Sequence, residues 1–408
     1  MPLPPAGLRA RLADAGIVAV SITAMNLATY GFTLIAARLL EPKYFGELTA
    51  LMGIILVGNV ASLGLQATTA RRLATRDPKD HPAVIAAARR ATWIAAAIVS
   101  AVALALAPVL REVLALSSWW SMVFVAGTLV PLTVFGTEAG VAQGSRRWSR
   151  LAVLYAAVGL GRLVFGSLAA VVEPRPSIVM LGVLLGTVVP VLAGWSLLRP
   201  RPPDTEPPAD SASRAVLVET IHGTHALLAY FALTNADAVL ARVIFSPHDS
   251  GVYAAGLIVT KACLFLPQFV TVVAFPDLAQ AVDRRTRQVA ATIIAALGAA
   301  VVAGVWLLPD LALAFVGGDD YAEVQSLLPL FAIEGSMFAL VQLLLYDALA
   351  RRSRIIVVAL WTALAVATAI ALTAVDQIDV LPVVVTAAAA GVALAAVVQM
   401  RPRLSRGR

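Results

Sequence analysis

Polar side chains inside long apolar runs are few in this chain, so their spacing is informative. Asn26, Tyr30 and Thr33 stand at i, i+4 and i+7, which is one face of a helix; adding 204 to each number gives Tyr230, Thr234 and Asp237, a second polar face. Two such faces either line a shared cavity that a polar solute can enter or hold helices together in lipid through buried hydrogen bonds. The ionisable Asp237 favours the cavity. Charged side chains within a membrane span cost about 3 kcal/mol each on insertion scales, so each one present is a functional candidate. Glu138 lies eight residues before Arg146, and Arg162 twelve after Arg150. At about 1.5 Å per residue these sit about 12 and 18 Å in from the cytoplasmic end, so an ion pair and a substrate contact are both open. Lys261 and Glu334, each about ten residues in from the opposite end, carry the same two readings. An unpaired Arg162 or Lys261 facing the cavity offers a site for a phosphate group. His222 and His225 could relay protons, though their place near the membrane surface favours solvated side chains. Arg38 and Arg242, at the outer ends of their helices, read as anchors reaching towards headgroups at the outer mouth.

The elements that position these residues follow from composition. Sixty per cent of the residues are hydrophobic and 13% are charged, and the mean hydropathy is +0.86, against about a quarter charged in soluble domains. That is an all-α integral membrane protein: the apolar runs are about 20 residues long and lack two-residue alternation, which excludes a barrel. Twelve spans are expected, at roughly 14–39, 46–70, 85–110, 119–143, 151–172, 177–198, 217–241, 250–275, 288–316, 325–349, 355–375 and 379–400. With both termini cytoplasmic, 24 of the 31 Lys and Arg fall on the cytoplasmic side, five fall outside, and Arg162 and Lys261 lie within spans. This split orients a multi-pass protein of the cell membrane, and it accounts for the net charge of +7 without nucleic acid. Cys263, the lone cysteine, can form no intrachain disulfide.

A repeat divides the chain. LIAARLLEPKYFGELTAL at 34–51 recurs as VLARVIFSPHDSGVYAAG at 239–256, with Arg38 matching Arg242 at an offset of 204 and Pro42 and Gly46 matching Pro247 and Gly251 at 205. A spacing so near half the length indicates duplication of a whole unit. The Pro-rich segment 199–214, RPRPPDTEPPADSASR, reads as a cytoplasmic linker between an N-terminal bundle, 1–198, and a C-terminal bundle, 215–408. Six is even, so both bundles enter from the same side and the repeat is parallel, around a central cavity.

Nothing resembling a glycine-rich phosphate loop, a zincin helix, a metal-spaced Cys/His set or a nucleophile elbow is present, so no cofactor, metal or catalytic residue is expected. The first hairpin, the segment GVAQGSRRWSRLAVL at 140–154 and FVGGDDYAEVQSLLPLFAIEG at 315–335 together resemble the polysaccharide-transporter and oligosaccharide-flippase family of the multidrug/oligosaccharidyl-lipid/polysaccharide (MOP) exporter superfamily. The resemblance implies twelve helices in two bundles around a V-shaped cavity, MATE-like in architecture. It also implies alternating-access transfer of a polyprenyl-diphosphate-linked saccharide from the inner leaflet to the outer. The partners it implies are the bilayer, that substrate and glycan-assembly enzymes. A drug/cation antiporter of the same fold, coupled through Asp237 or Glu138, is the competing reading. An integral-membrane glycosyltransferase or polymerase would need an extramembrane loop larger than any seen, and an inactive scaffold is a fourth reading. Twenty-eight Arg against three Lys point to a GC-rich bacterial genome.

Overall fold

The computed structural model describes the backbone of residues 8–197, 210–278, 284–350 and 355–400. Among these the chain is helical almost throughout. The first half comprises α1 (Leu8–Leu39), α2 (Pro42–Gly58), α3 (Val60–Thr75), α4 (His81–Val113), α5 (Trp119–Gly144), α6 (Trp148–Gly161), α7 (Ser167–Val172) and α8 (Pro176–Leu197). The second comprises α9 (Asp210–Ile244), α10 (Pro247–Leu278), α11 (Arg284–Leu307), α12 (Pro309–Val316), α13 (Leu328–Ala350), α14 (Ile355–Ala374) and α15 (Val380–Met400). Eleven described segments are long and apolar enough to cross a membrane. The 32-residue α10 occupies the place of the eighth expected span.

Several boundaries differ from the sequence reading, three of them near polar residues or the linker. Helix α4 begins at His81, four residues before the expected start, and Arg89 and Arg90 fall in its third turn. The ninth span is two helices, because Leu308 leaves helical geometry ahead of Pro309, whose ring cannot continue the preceding helix. Helix α9 starts at Asp210, inside the segment read as linker and just beyond its last prolines; residues 198–209 lie outside the described residues.

Small residues set how closely the helices approach. Gly136, Gly140 and Gly144 form a small-xxx-small stripe on α5 against Ser62, Gln66 and Ala70 of α3; a Cβ at Gly140 would lie 2.6 Å from the Gln66 carbonyl. Helix α4 buries an alanine-rich face against α5 and turns Trp93, Ile98 and Val102 outwards to lipid. In the first half α5 packs on α3, α4 and α8, and α6 on α1; in the second, α13 packs on α10, α11 and α15. Two seams join the halves. Along one, α9 runs beside α2 and then α3; along the other, α10 meets α1 and α2.

The repeat motif places both of its glycines at the crossing of these seams. A Cβ on Gly46 would lie 2.8 Å from the backbone nitrogen of Gly251, and one on Gly251 would overlap the Pro42 carbonyl. The two copies of the turn therefore touch, with no room for a side chain, on the face that the arginine distribution assigns to the outside. That face is called the outer face below.

Candidate functional site

The most concentrated polar site lies inside the second half, between α9, α10 and α13. Asp237 and Glu334 are both fully buried; their carboxyls lie against one another, and the Lys261 ammonium interacts with them electrostatically without forming a direct ion pair. Lys261 Nζ donates to the Thr234 carbonyl and, at 3.0 Å, to Asn235 Oδ1. Asp237 Oδ1 accepts from the Ala238 backbone at 2.8 Å, and Thr260 Oγ1 reaches Glu334 Oε2 at 3.5 Å. Asp237 Oδ2, Glu334 Oε1 and the Tyr253 hydroxyl are buried without a hydrogen-bond partner. Two carboxyls face one ammonium here, which leaves a place for one further positive charge, a proton or a small cation.

Lys261 and Glu334, singled out one by one from the sequence, thus meet Thr234 and Asp237 of the α9 polar face in one cluster. Their setting differs from the expected pair of matching cavity faces. Tyr230 is buried and donates to the Phe338 carbonyl of α13 at 3.3 Å, so the α9 face turns into its own half. The α1 face does not mirror it. The Tyr30 hydroxyl crosses the seam to the Ile258 carbonyl at 3.3 Å, and its ring packs on Phe315 at 5.6 Å. Thr33 bonds back to the Thr29 carbonyl of its own helix at 3.1 Å, and Asn26 is half-buried.

In the first half, Glu138 is an ion-pair residue. Arg89 holds it bidentately at 2.9 and 3.0 Å. The sequence reading missed Arg89 because it counted that residue with the cytoplasmic arginines; α4 runs unbroken from His81 through it and sets it against α5, where Glu138 sits. Arg162 has no such partner. It is 6% exposed, its Nε is buried without a partner, and no carboxylate among the described residues pairs with it. It opens a π-helical turn, Arg162–Gly166, that interrupts the fifth span. Such turns insert one residue into a helix and recur at functional sites. Gly161 and Gly166 on either side pack against Gly186 of α8 and Phe32 of α1, which fixes the turn between those helices.

The two motif arginines part company. Arg38 is exposed and donates to the Ala314 carbonyl of α12 at 3.0 Å, so it bridges the halves as well as facing outwards. Arg242 is only 7% exposed, and the headgroup anchor expected there is corrected. Its guanidinium donates to the carbonyls of Leu114 at 2.9 Å, Ala115 at 3.1 Å, Lys43 at 3.3 Å and Pro247 at 3.4 Å, and to Ser250 Oγ at 3.1 Å. Ala115 sits at φ +45°, a left-handed conformation costing about 1–2 kcal/mol in a non-glycine residue. Its turn is held in place by Glu47, fully buried on α2, which accepts from Ser117 N at 3.0 Å and Ser117 Oγ at 3.1 Å. Glu47 and Tyr253 escaped the sequence reading although both lie in the repeat motif. Glu47 could have been found as an acid inside a span, whereas nothing in the sequence marks Tyr253.

On the opposite face, Glu219 of α9 accepts from Arg71 and Arg72 of α3, the latter at 2.8 and 2.9 Å. Burial alone would raise the Glu219 carboxyl, but the two arginines outweigh it and hold it below the ordinary value. His225 is exposed, and the side chain of His222 lies outside the described residues.

No family model matches the chain, and no curated protein does. Solved structures do. A multidrug resistance MATE family transporter of the MOP superfamily, in its inward-facing conformation, matches at a TM-score of 0.68 and 13% identity, over 94% of this chain and 96% of its own. The eukaryotic MATE transporter AtDTX14 matches at 0.67 and 12%, over 97% and 96%. The lipid II flippase MurJ, inward closed, matches at 0.66 and 8%, over 94% and 87%. Identities this low carry the fold and not the substrate. The chain is thus a multi-pass membrane protein with the two-bundle fold shared by MATE transporters and MurJ.

Proposed function

We propose that this protein flips a polyprenyl-diphosphate-linked saccharide from the inner to the outer leaflet of the cell membrane. Its two halves, residues 1–198 and 215–408, rock about the seams in alternating access, with both termini cytoplasmic. The observation that carries the reading is Arg162. A buried guanidinium without a carboxylate partner is costly unless an anion joins it, and in a transporter that anion is the cargo. A planar, permanently charged fork suits a diphosphate, which it can hold through two parallel hydrogen bonds. Asn26 and Tyr30, on α1 beside the π turn, are the polar groups placed to meet the sugar. The Asp237–Glu334–Lys261 cluster then serves as the coupling site, since it has room for one proton or small cation in the half opposite the cargo.

A second reading, drug/cation antiport, is favoured by that same pair of acids. Reconstitution separates the two. The full chain in liposomes, given a fluorescent polyprenyl-diphosphate saccharide, should transfer it between leaflets, and Arg162→Ala should abolish transfer while Arg162→Lys retains part of it. Transfer that Arg162→Ala leaves untouched would defeat the assignment. Extrusion of organic cations with no lipid transfer would move the protein to the second reading.

A further inference from the structure

The outer rim of the second half carries a cluster that transport does not use. His248 and Asp249 lie in the first turn of α10, while Glu323 lies in the short 3-10 stretch Asp319–Leu327 that leads into α13. Their ligand atoms all fall within 4.8 Å of one another, and His248 Nε2 stands 3.3 Å from Glu323 Oε1 across 75 residues of sequence. No lysine or arginine among the described residues pairs with either carboxylate; the imidazole is the only basic group in contact with Glu323.

Both backbones are pinned where the three side chains meet. The Asp249 backbone nitrogen donates to Ser246 Oγ at 3.2 Å, capping the helix start. The stretch bearing Glu323 is tied on one side by the Tyr321 hydroxyl to the Ala37 carbonyl at 3.0 Å and on the other by Gln325 to Asp310 at 2.8 Å. The fold, and not a chance rotamer, therefore brings the donors together.

One imidazole and two carboxylates match zinc and its first-row neighbours. Calcium and magnesium prefer oxygen donors throughout, and the nitrogen selects against them. Tetrahedral ligands about 2.1 Å from zinc stand about 3.4 Å apart, so the present spread needs to shrink by about 1 Å or a little more. Exposed side chains supply that by rotamer adjustment.

We propose that His248, Asp249 and Glu323 form a binding site for a divalent transition-metal ion, open to water on its solvent side. The site joins two elements that meet the first half when the outer face is closed: the α10 turn, where Gly251 rests on Pro42, and the 3-10 stretch, where Tyr321 reaches Ala37. A bound ion staples these two elements together. The proposal does not depend on what the protein transports.

Zinc chloride is the probe, titrated calorimetrically into the full chain, purified in detergent without a polyhistidine tag. One zinc ion per chain is expected, with His248→Ala and Glu323→Gln each weakening binding by at least the ~10- to 100-fold seen when groups that merely support a metal ligand are removed. His81→Ala, at the start of α4, should bind as the parent does. Zinc should also raise the thermal midpoint of the parent and of neither ligand variant. His248 and Glu323 are both exposed, so equal midpoints in chelator confirm that the variants fold. Absence of saturable binding at micromolar zinc, or binding unchanged in both ligand variants, overturns the site.

Discussion

Arg242 is the sharpest place to perturb the molecule. Three of its five hydrogen bonds cross from the second half to the first: those to Leu114, Ala115 and Lys43, at 2.9, 3.1 and 3.3 Å. A net worth of about 1 kcal/mol per bond gives about 3 kcal/mol for closure of the outer face, and the charge on the donor pushes this upwards. When the outer face opens, the same carbonyls and the guanidinium are hydrated, so only the closed form loses by Arg242→Ala. At about 1.4 kcal/mol per tenfold, the ratio of open to closed should rise about a hundredfold. A cysteine at Ala255, one helical turn beyond Gly251 and fully buried, reports the change in a Cys263→Ser background. Its labelling by a membrane-impermeant maleimide from outside should accelerate about a hundredfold in Arg242→Ala, in the limit where opening precedes reaction. Arg242→Gln, which keeps a shorter donor, should fall between. Equal labelling rates in parent and Arg242→Ala would show that the guanidinium only fills space and that closure rests on packing.

Other expectations follow from the pairs. Replacing Arg89 by Met leaves Glu138 buried and alone and should cost about 3 kcal/mol, the lower end for a broken buried pair because Arg89 keeps some exposure. Arg89→Met/Glu138→Met should recover most of it in thermal unfolding. Arg162→Met should show the opposite balance, with an unchanged or higher thermal midpoint alongside lost transfer, because an unpaired buried charge is removed; a large fall in the midpoint would mean that the guanidinium has a structural partner. The Glu219 clamp predicts a pH dependence. Its folded value lies below the ordinary 4.5, so its contribution is full above that pH and disappears as pH falls through the folded value. The midpoint difference between the parent and Glu219→Gln should therefore close on acidification below about pH 4.5. A difference that stays constant down to pH 3 would refute the clamp.

How much of this was readable in advance depended on range. Spans and repeat are written in apolar run length and turn chemistry, both local signals, and the helices follow the spans to within a few residues except at the Leu308 break, the early starts of α1 and α9 and the late end of α3. Partners are not local. Glu138 was visible as a costly in-span acid, but nothing in the spacing said that Arg89, 49 residues away on another helix, would reach it. Lys261, Asp237 and Glu334 were each marked by the same cost, yet nothing in their spacing said that three helices would bring them together. The sequence did not single out Asp249 or Glu323, because a set assembled across 75 residues has no short spacing to find.

The duplication explains both the success and the misreading. Equivalent positions in two copies start with the same environment, so Gly46 and Gly251 still meet at the outer face, where any side chain would force the halves apart. The arginines beside them were free to diverge, since only one can occupy a single seam. Arg242 took the carbonyls of the 114–115 turn, which Glu47 holds in place; the counterpart of Glu47 in the second copy, at the same offset of 205, is Val252. No matching turn therefore awaits Arg38, which remains exposed and reaches one carbonyl of α12. The interiors diverged in sign as well, with an unpaired cation in the first half and a carboxylate excess in the second. Opposite charges in the two bundles give one fold two chemically distinct sites without any added domain. Exchanging them tests that division: Arg162→Glu should transfer neither lipid-linked saccharide nor any other diphosphate, while Lys261→Met should leave saccharide binding intact and abolish its dependence on the ion gradient. Loss of saccharide binding in Lys261→Met would place the cargo in the second half and reverse the assignment of the two sites.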